Sequence, residues 1–143
     1  MGLHFAFAVN NNNQFEKKHF GDADKYLIFK QESDKIVLLS EEFNHFKMMD
    51  EELEHGSKKK GNAIIEFLKN KRVSCLVAKQ FGKNLKMVNK HFIPVIVSSE
   101  QHEEVVQILN HHIHWIEDEK KSSTSNYKLF TIKSGILKSS IKK

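Results

Sequence analysis

Both faces of the first segment of the chain are largely apolar, which predicts a strand covered on both sides. From Leu3 to Val9, Leu3, Phe5, Phe7 and Val9 fall on one face and Ala6 and Ala8 on the other. Asn10 to Asn13 can turn the chain, because asparagine tolerates left-handed backbone, and Phe15 is placed to tuck back against the strand. Tyr26–Lys30, a tight connection over Gln31–Asp34, and Lys35–Ser40 then read as strand, turn, strand, so the first forty residues predict a three-stranded antiparallel meander. Residues 41–57 lose the pattern and mix Glu41, Glu42, Asp50, Glu51, Glu52 and Glu54 with His45, Met48, Met49 and His55, which reads as a loop.

The second half changes period. Asn62–Lys69 carries Ala63, Ile64, Phe67 and Leu68 at helical spacing, with Lys58 to Lys60 flanking it. Val73–Ala78 is another strand of the buried type, with Cys75 in its middle. It leads through Lys79, Gln80, Phe81, Gly82, Lys83 and Asn84 into a short helix with Leu85, Met87 and Val88. Ile93–Val97 is a third such strand, and Pro94 favours a place at the sheet edge. Ser98 followed by Gln101 resembles a capping box for a helix carrying Val105, Val106 and Leu109. His111, His112, His114 and Trp115 close this body. Lys120–Asn126 reads as a Ser- and Lys-rich linker, and Tyr127–Ile132 as a short strand without an evident partner.

The order β, β, β, α, β, α, β, α predicts an α/β fold of three layers, a mixed sheet of about five strands with helices on both faces, in a ribonuclease H-like layout. Its domain would occupy residues 1–119, and 120–143 would be a separate C-terminal extension open to proteolysis at Lys120–Asn126.

Charge alters the functional picture more than composition does. The 143 residues carry a formal net charge of +5. Seven lysines and no acid lie in 120–143, which leaves 16 basic against 18 acidic residues before them. The body is therefore not basic, and Arg72 is the one arginine, so bidentate reading of bases or phosphates is nearly missing and nucleic acid is an unlikely partner. The extension predicts weak, salt-sensitive attachment to polyanions. No apolar run is long enough to span a bilayer, and no basic segment precedes a long apolar one at the N-terminus, so neither a membrane span nor a secretory signal is read. Gly2 invites myristoylation, but Ala6 stands where that motif wants Ser or Thr. A single cysteine, Cys75, excludes an intramolecular disulfide and a Cys-only metal site within one chain, and suits a reducing cytoplasm.

Candidate chemistry centres on His19, Phe20 and Gly21, just ahead of the second strand. An imidazole serves metal binding or proton transfer, and Gly21 lets the backbone take conformations closed to other residues, so the element can project His19 from a loop at the strand entrance. The alternative is that His19 packs or caps the loop. The loop after Val73–Ala78 stands where open α/β sheets bind ligands. A nuclease of this layout would need acidic residues in the first strand to hold metal, and Leu3–Val9 has none. There is no P-loop, G-x-S-x-G elbow or H-E-x-x-H helix, and no enzymatic activity is expected. The histidines and acids of 41–57, and His111 with His114, are of metal-ligand type but fit no recognised spacing.

An apolar first strand ending Phe7, Ala8, Val9, Asn10; the element His19, Phe20, Gly21 with Ala23 and Tyr26–Phe29; the strand Cys75–Ala78; a loop with Gly82 and Asn84; and the final Ile93–Val97 together resemble the dinitrogenase iron-molybdenum cofactor-binding family of NifX type, which includes the C-terminal domain of NifB. The resemblance covers about residues 3–116. It implies the ribonuclease H-like fold and a small non-enzymatic carrier that binds an iron-sulfur or iron-molybdenum cluster during nitrogenase cofactor assembly and delivers it to a protein partner. It implies His19 as cluster ligand, Phe20, Gly21, Gly82 and Lys83 as cluster-binding surroundings, and Cys75 as a second metal ligand if its strand end is open. Two departures stand out. Lys79, Gln80 and Phe81 replace most of a glycine-rich loop, where the bulk of Phe81 would narrow a pocket. Asp22 replaces the usual basic residue, and an acid there is unwelcome to an anionic cluster. The alternative is an interaction or regulatory domain of the same fold that has lost cluster binding. The oligomeric state is left open.

Overall fold

The alternation of Leu3–Val9 is realised as a central strand. In the computed structural model, which describes residues 2–47, 56–82 and 85–139, β1 (His4–Val9) pairs antiparallel with β2 (Lys25–Glu32) and parallel with β4 (Cys75–Ala78). β3 (Lys35–Phe43) pairs with the outer side of β2, and β5 (Ile93–Val97) with the far side of β4. β6 (Phe130–Lys133) and β7 (Ile136–Ser139) complete a mixed sheet in the order β3-β2-β1-β4-β5-β6-β7.

Each face of this sheet carries its own apolar core. On one, Phe5, Phe7, Leu27, Phe29, Cys75, Val77 and Val95 pack against Val105 and Leu109 of α3 (His102–His111) and Ile113 and Ile116 of α4 (Ile113–Ser122). On the other, Ala6, Ala8, Tyr26, Ile28, Leu76 and Ala78 meet Ile64, Ile65 and Leu68 of α1 (Gly56–Asn70), and Val88 of the short α2 (Leu85–Val88). The period-2 alternation of β1 thus sends its phenylalanines to one helical layer and its alanines to the other. The expected mixed α/β sheet with helices on both faces is present.

Several expectations are corrected. The sheet has seven strands among the described residues rather than about five, because the segment read as a separate extension is part of it. Lys120 and Lys121 are the last turn of α4, where cations complement the helix dipole, and the linker shrinks to the residues after Ser122. β6 then runs parallel to β5 in the register Val95↔Phe130, Ile96↔Thr131, Val97↔Ile132, with Tyr127, Phe130, Ile132 and Leu137 buried.

Pro94 is not at a sheet edge, since β5 lies between β4 and β6. The Ile93 N–H points to the β4 side, donating to the Ser74 carbonyl at 2.9 Å, so the position of Pro94 faces β6, whose ladder begins one residue later at Val95. The missing donor therefore falls where no acceptor is waiting. The capping box lies one turn further on than expected. Gln101 donates its N–H to Glu104 Oε1 at 3.1 Å, while Ser98 Oγ bonds Glu100 Oε1 at 2.9 Å. β3 continues through Glu41 and Glu42, which the sequence reading gave to a loop. Met48, Met49, Asp50, Glu51, Glu52, Glu54 and His55 lie outside the described residues.

Candidate functional site

The chain leaves β1 toward β2 on one side of the sheet and leaves β4 toward β5 on the other. Between the carboxyl ends of these two parallel strands the connections diverge, and such a switch point is where open α/β sheets hold ligands. Two loops meet there. The first begins with an asparagine turn in which Asn10 Oδ1 accepts the N–H groups of Asn12 (2.9 Å) and Gln14 (3.0 Å), and Asn13 takes φ 63°. Phe15 bridges back to Val9 as expected, and the chain arrives at His19.

His19 caps a single 3-10 turn, Phe20–Asp22. Its Nδ1 accepts the Gly21 N–H at 3.0 Å, and its carbonyl accepts the Asp22 N–H at 3.0 Å. Phe20 is the anchor. Its ring is wholly buried, its N–H donates to the Gln80 carbonyl of the second loop at 3.0 Å, and its carbonyl accepts the hydroxyl of buried Tyr26 at 2.9 Å. Asn44, also buried, donates to the Gly21 (3.0 Å) and Ala23 (2.9 Å) carbonyls and ties the turn to the end of β3. These hydrogen bonds make the turn a well-tied mount for the imidazole, which remains one-quarter exposed at 25%.

Both glycines of the expected site have a specific use. A Cβ on Gly21 would stand 2.8 Å from His19 Cε1 and 3.1 Å from Nδ1, so the ring lies over the glycine because there is no side chain. Gly82 has φ +59°, a backbone favourable to glycine, and lies against His19, whose Cβ would stand 3.8 Å from a Cβ built on the glycine, an ordinary van der Waals contact. Lys83 lies outside the described residues.

Asp22 departs from what its charge suggests. Lys60, reaching from α1 with its side chain only 1% exposed, donates to Asp22 Oδ1 at 2.8 Å, and His19 Nε2 lies 3.5 Å from Oδ2. Burial alone would raise the Asp22 carboxyl, but the Lys60 hydrogen bond and the charges of His19, Lys60 and Lys18 outweigh it and hold the pKa below the ordinary value. The acid is thus neutralised from beneath, and the objection that it would repel an anionic ligand loses its force. The sequence reading treated Lys60 as a helix flank. Its placement four and eight residues before Ile64 and Leu68, both buried on α1, was the available sign that it points inward.

Phe81 does not narrow the crevice. It is buried at 2% exposure and its ring packs 5.8 Å from that of Phe20, so its bulk holds the two loops together from below. Gln80 adds a hydrogen bond from Nε2 to the Lys17 carbonyl at 3.2 Å.

Cys75 is corrected as a ligand. It is fully buried in the core under α3 and α4, whereas Phe20, Phe81 and Ala78 belong to the core on the opposite face. Burial pushes its thiol well above the ordinary range, which disfavours the thiolate a metal needs. The structure thus brings together His19, Phe20, Gly21 and Gly82 and leaves Cys75 apart. Among the described residues no group of three or more His, Cys, Asp or Glu side chains is arranged to hold a metal ion. His19 and Asp22 stand side by side, an imidazole and a carboxylate, with Nε2 3.5 Å from Oδ2. No described helix is long and apolar enough to cross a membrane.

A comparison with curated proteins found no match. A profile of the family described as dinitrogenase iron-molybdenum cofactor matches residues 1–113, from β1 to the start of α4, with the His19 turn, the Gln80–Gly82 loop and Lys60 all inside the matched span. The chain belongs to the dinitrogenase iron-molybdenum cofactor family.

Proposed function

We propose that the protein is a non-enzymatic carrier that takes an iron-sulfur or iron-molybdenum cluster as cargo on a ribonuclease H-like scaffold and passes it to a protein partner. The observation that carries this reading is the partly exposed His19 imidazole, mounted on a capped and anchored turn at the β1/β4 switch point. One imidazole beside one carboxylate is too few ligands to enclose a cluster, which suits transfer better than retention. Pairing of Asp22 with Lys60 leaves the crevice without uncompensated negative charge from that acid. An oxygen-sensitive cargo and a lone buried thiol suit a reducing cytoplasm.

A second reading, an interaction domain without cargo, is favoured by one observation: His19 Nδ1 already serves the turn as a cap. Anaerobic reconstitution with ferrous iron and sulfide separates the two. Wild type and the exposed-histidine control His114→Ala should retain iron and develop visible absorption, and His19→Ala should lose most of both. Equal retention by His19→Ala rejects the ligand role, and no retention by folded wild type favours the interaction domain.

A further inference from the structure

A cleft of about 390 Å³ lies between α4 and the β6–β7 hairpin, within the roughly 300–1,000 Å³ of small-molecule sites. It is built from residues beyond the span 1–113 that the family profile matches, and it sits on the α3/α4 face of the sheet, whereas Phe20 under the His19 turn belongs to the opposite core. Trp115, Asp118 and Glu119 follow one stripe of α4 and form the helical wall. Phe130, buried in β6, and Ser139, its partner across the hairpin, form the floor. His112 stacks on the indole of Trp115 with 4.2 Å between ring centroids and 30° between planes, so the ring is braced although 46% of the residue is exposed. Glu119 is only 5% exposed. Its Oε2 accepts the Lys128 N–H at 2.8 Å and the Ser123 hydroxyl at 3.1 Å, and the two bonds fix the carboxylate. Its Oε1 takes no hydrogen bond among the described residues, yet it is not sealed from solvent, since the one side-chain atom there that is both sealed and unpartnered is Asn13 Oδ1. Lys128 also lines the cleft, but among the described residues no ion pair joins it to either acid. Two carboxylates against one ammonium leave the lining with a net charge of −1.

We propose that this cleft binds a primary alkylammonium ion. Tryptophan is the aromatic side chain that attracts a cation most strongly, and here it stands beside two carboxylates. The ammonium N–H groups donate to Glu119 Oε1, the open acceptor, and to Asp118, and its charge offsets the net −1 of the lining. The alkyl body lies on the indole and on Phe130. Each competing ligand leaves one of these features unused. A neutral apolar molecule brings neither a donor for Oε1 nor a positive charge, a quaternary ammonium has no N–H, and an alkali metal ion gains little from the apolar floor. A free amine and the end of a lysine side chain share the chemistry that fits.

Trp115 is the only tryptophan of the chain, so its fluorescence reports on this cleft. The full-length protein is titrated at neutral pH with n-butylammonium chloride, with n-butanol as the neutral molecule of the same size and sodium chloride at matched ionic strength. Butylammonium should change the emission with half-saturation at about millimolar concentration, and neither control should. Tetramethylammonium should bind more weakly than butylammonium. Asp118→Asn and Glu119→Gln should each weaken butylammonium about tenfold, the loss expected with one charged hydrogen-bond acceptor. Glutamine keeps an oxygen for the Lys128 N–H and the Ser123 hydroxyl, so the wall survives the change. Nα-acetyl-lysine N-methylamide carries the same ammonium on a peptide backbone: weaker binding than butylammonium supports a free amine as the source, and tighter binding supports a lysine side chain. No response to butylammonium, an equal response to n-butanol, a response reproduced by sodium chloride, or unchanged affinity in both variants overturns the proposal. Should Glu119→Gln fail to fold, Asp118→Asn decides alone.

Discussion

The imidazole of His19 rests on the Cα of Gly21 so closely that a single added carbon would stand 2.8 Å from Cε1. Gly21→Ala should therefore displace the ring and cost the turn its cap, a loss of about 1–2 kcal/mol by comparison with other helix caps. Urea denaturation should show the lower stability, and reconstitution should show reduced iron. An alanine variant with native stability and full iron retention would mean that the ring does not need this seat.

Lys60→Met removes the partner that holds the Asp22 carboxylate in its half-buried place. Breaking a buried pair from one side leaves an uncompensated charge, and with Asp22 at 22% exposure the loss should be about 2 kcal/mol, below the range for a fully buried pair. The double variant Lys60→Met/Asp22→Asn should recover part of it. A double-mutant cycle with no coupling would deny that the two side chains act as a pair.

Stability should fall in acid. The folded pKa of Asp22 is lowered as described. That of Glu100 is lowered too: burial opposes the shift, but the N–H of Gly135 (2.8 Å), the Ser98 hydroxyl and the Ser99 N–H overcome it. For groups with depressed folded pKa the stabilisation is complete above the unfolded value, about 4, and disappears as pH falls through the folded value. Melting temperature should thus be flat through neutrality and drop below about pH 4. Glu100→Gln should flatten part of that drop while lowering stability at pH 7, because Glu100 holds the β6–β7 turn.

Removing residues 124–143 should not leave a folded remainder. It deletes Tyr127, Phe130, Ile132 and Leu137 from the core, at about 1.5–3 kcal/mol for each buried side chain, and bares the edge of β5. That total rivals the 5–15 kcal/mol stability of an ordinary domain. Expression of residues 1–123 should give aggregated protein. A soluble, cooperatively melting fragment would show that β6 and β7 contribute little.

Cys75 should be inert to a thiol reagent in the native protein and react at the rate of unfolding. Cys75→Ala should cost about 1 kcal/mol and leave iron retention unchanged. Loss of iron from a folded Cys75→Ala protein would reinstate the thiol as a ligand.

Strands β1, β4 and β5 were legible because continuous apolar runs mark strands covered on both faces, whereas Gly21 serves the His19 turn by lacking a Cβ under the ring and not by a positive φ, which the sequence could not display. β6 and β7 were not legible. Each has four residues, Lys138 breaks the apolar content of β7, and the partner of β6 begins 35 positions earlier at Val95, a pairing no local pattern can display. The Asp22–Lys60 pair was hidden for a different reason: a lysine in a run of three reads as solvent-facing until its spacing to Ile64 and Leu68 is weighed. Cys75 was misleading as a ligand because residue type says nothing about which side of a sheet a side chain takes.

The bond from the Phe20 N–H to the Gln80 carbonyl joins positions sixty residues apart, and Asp22 meets Lys60 across 38. A chain emerging during synthesis therefore has no receptive turn until β4 has docked beside β1. A copy truncated before β4 therefore lacks the Gln80 carbonyl on which the His19 turn is anchored.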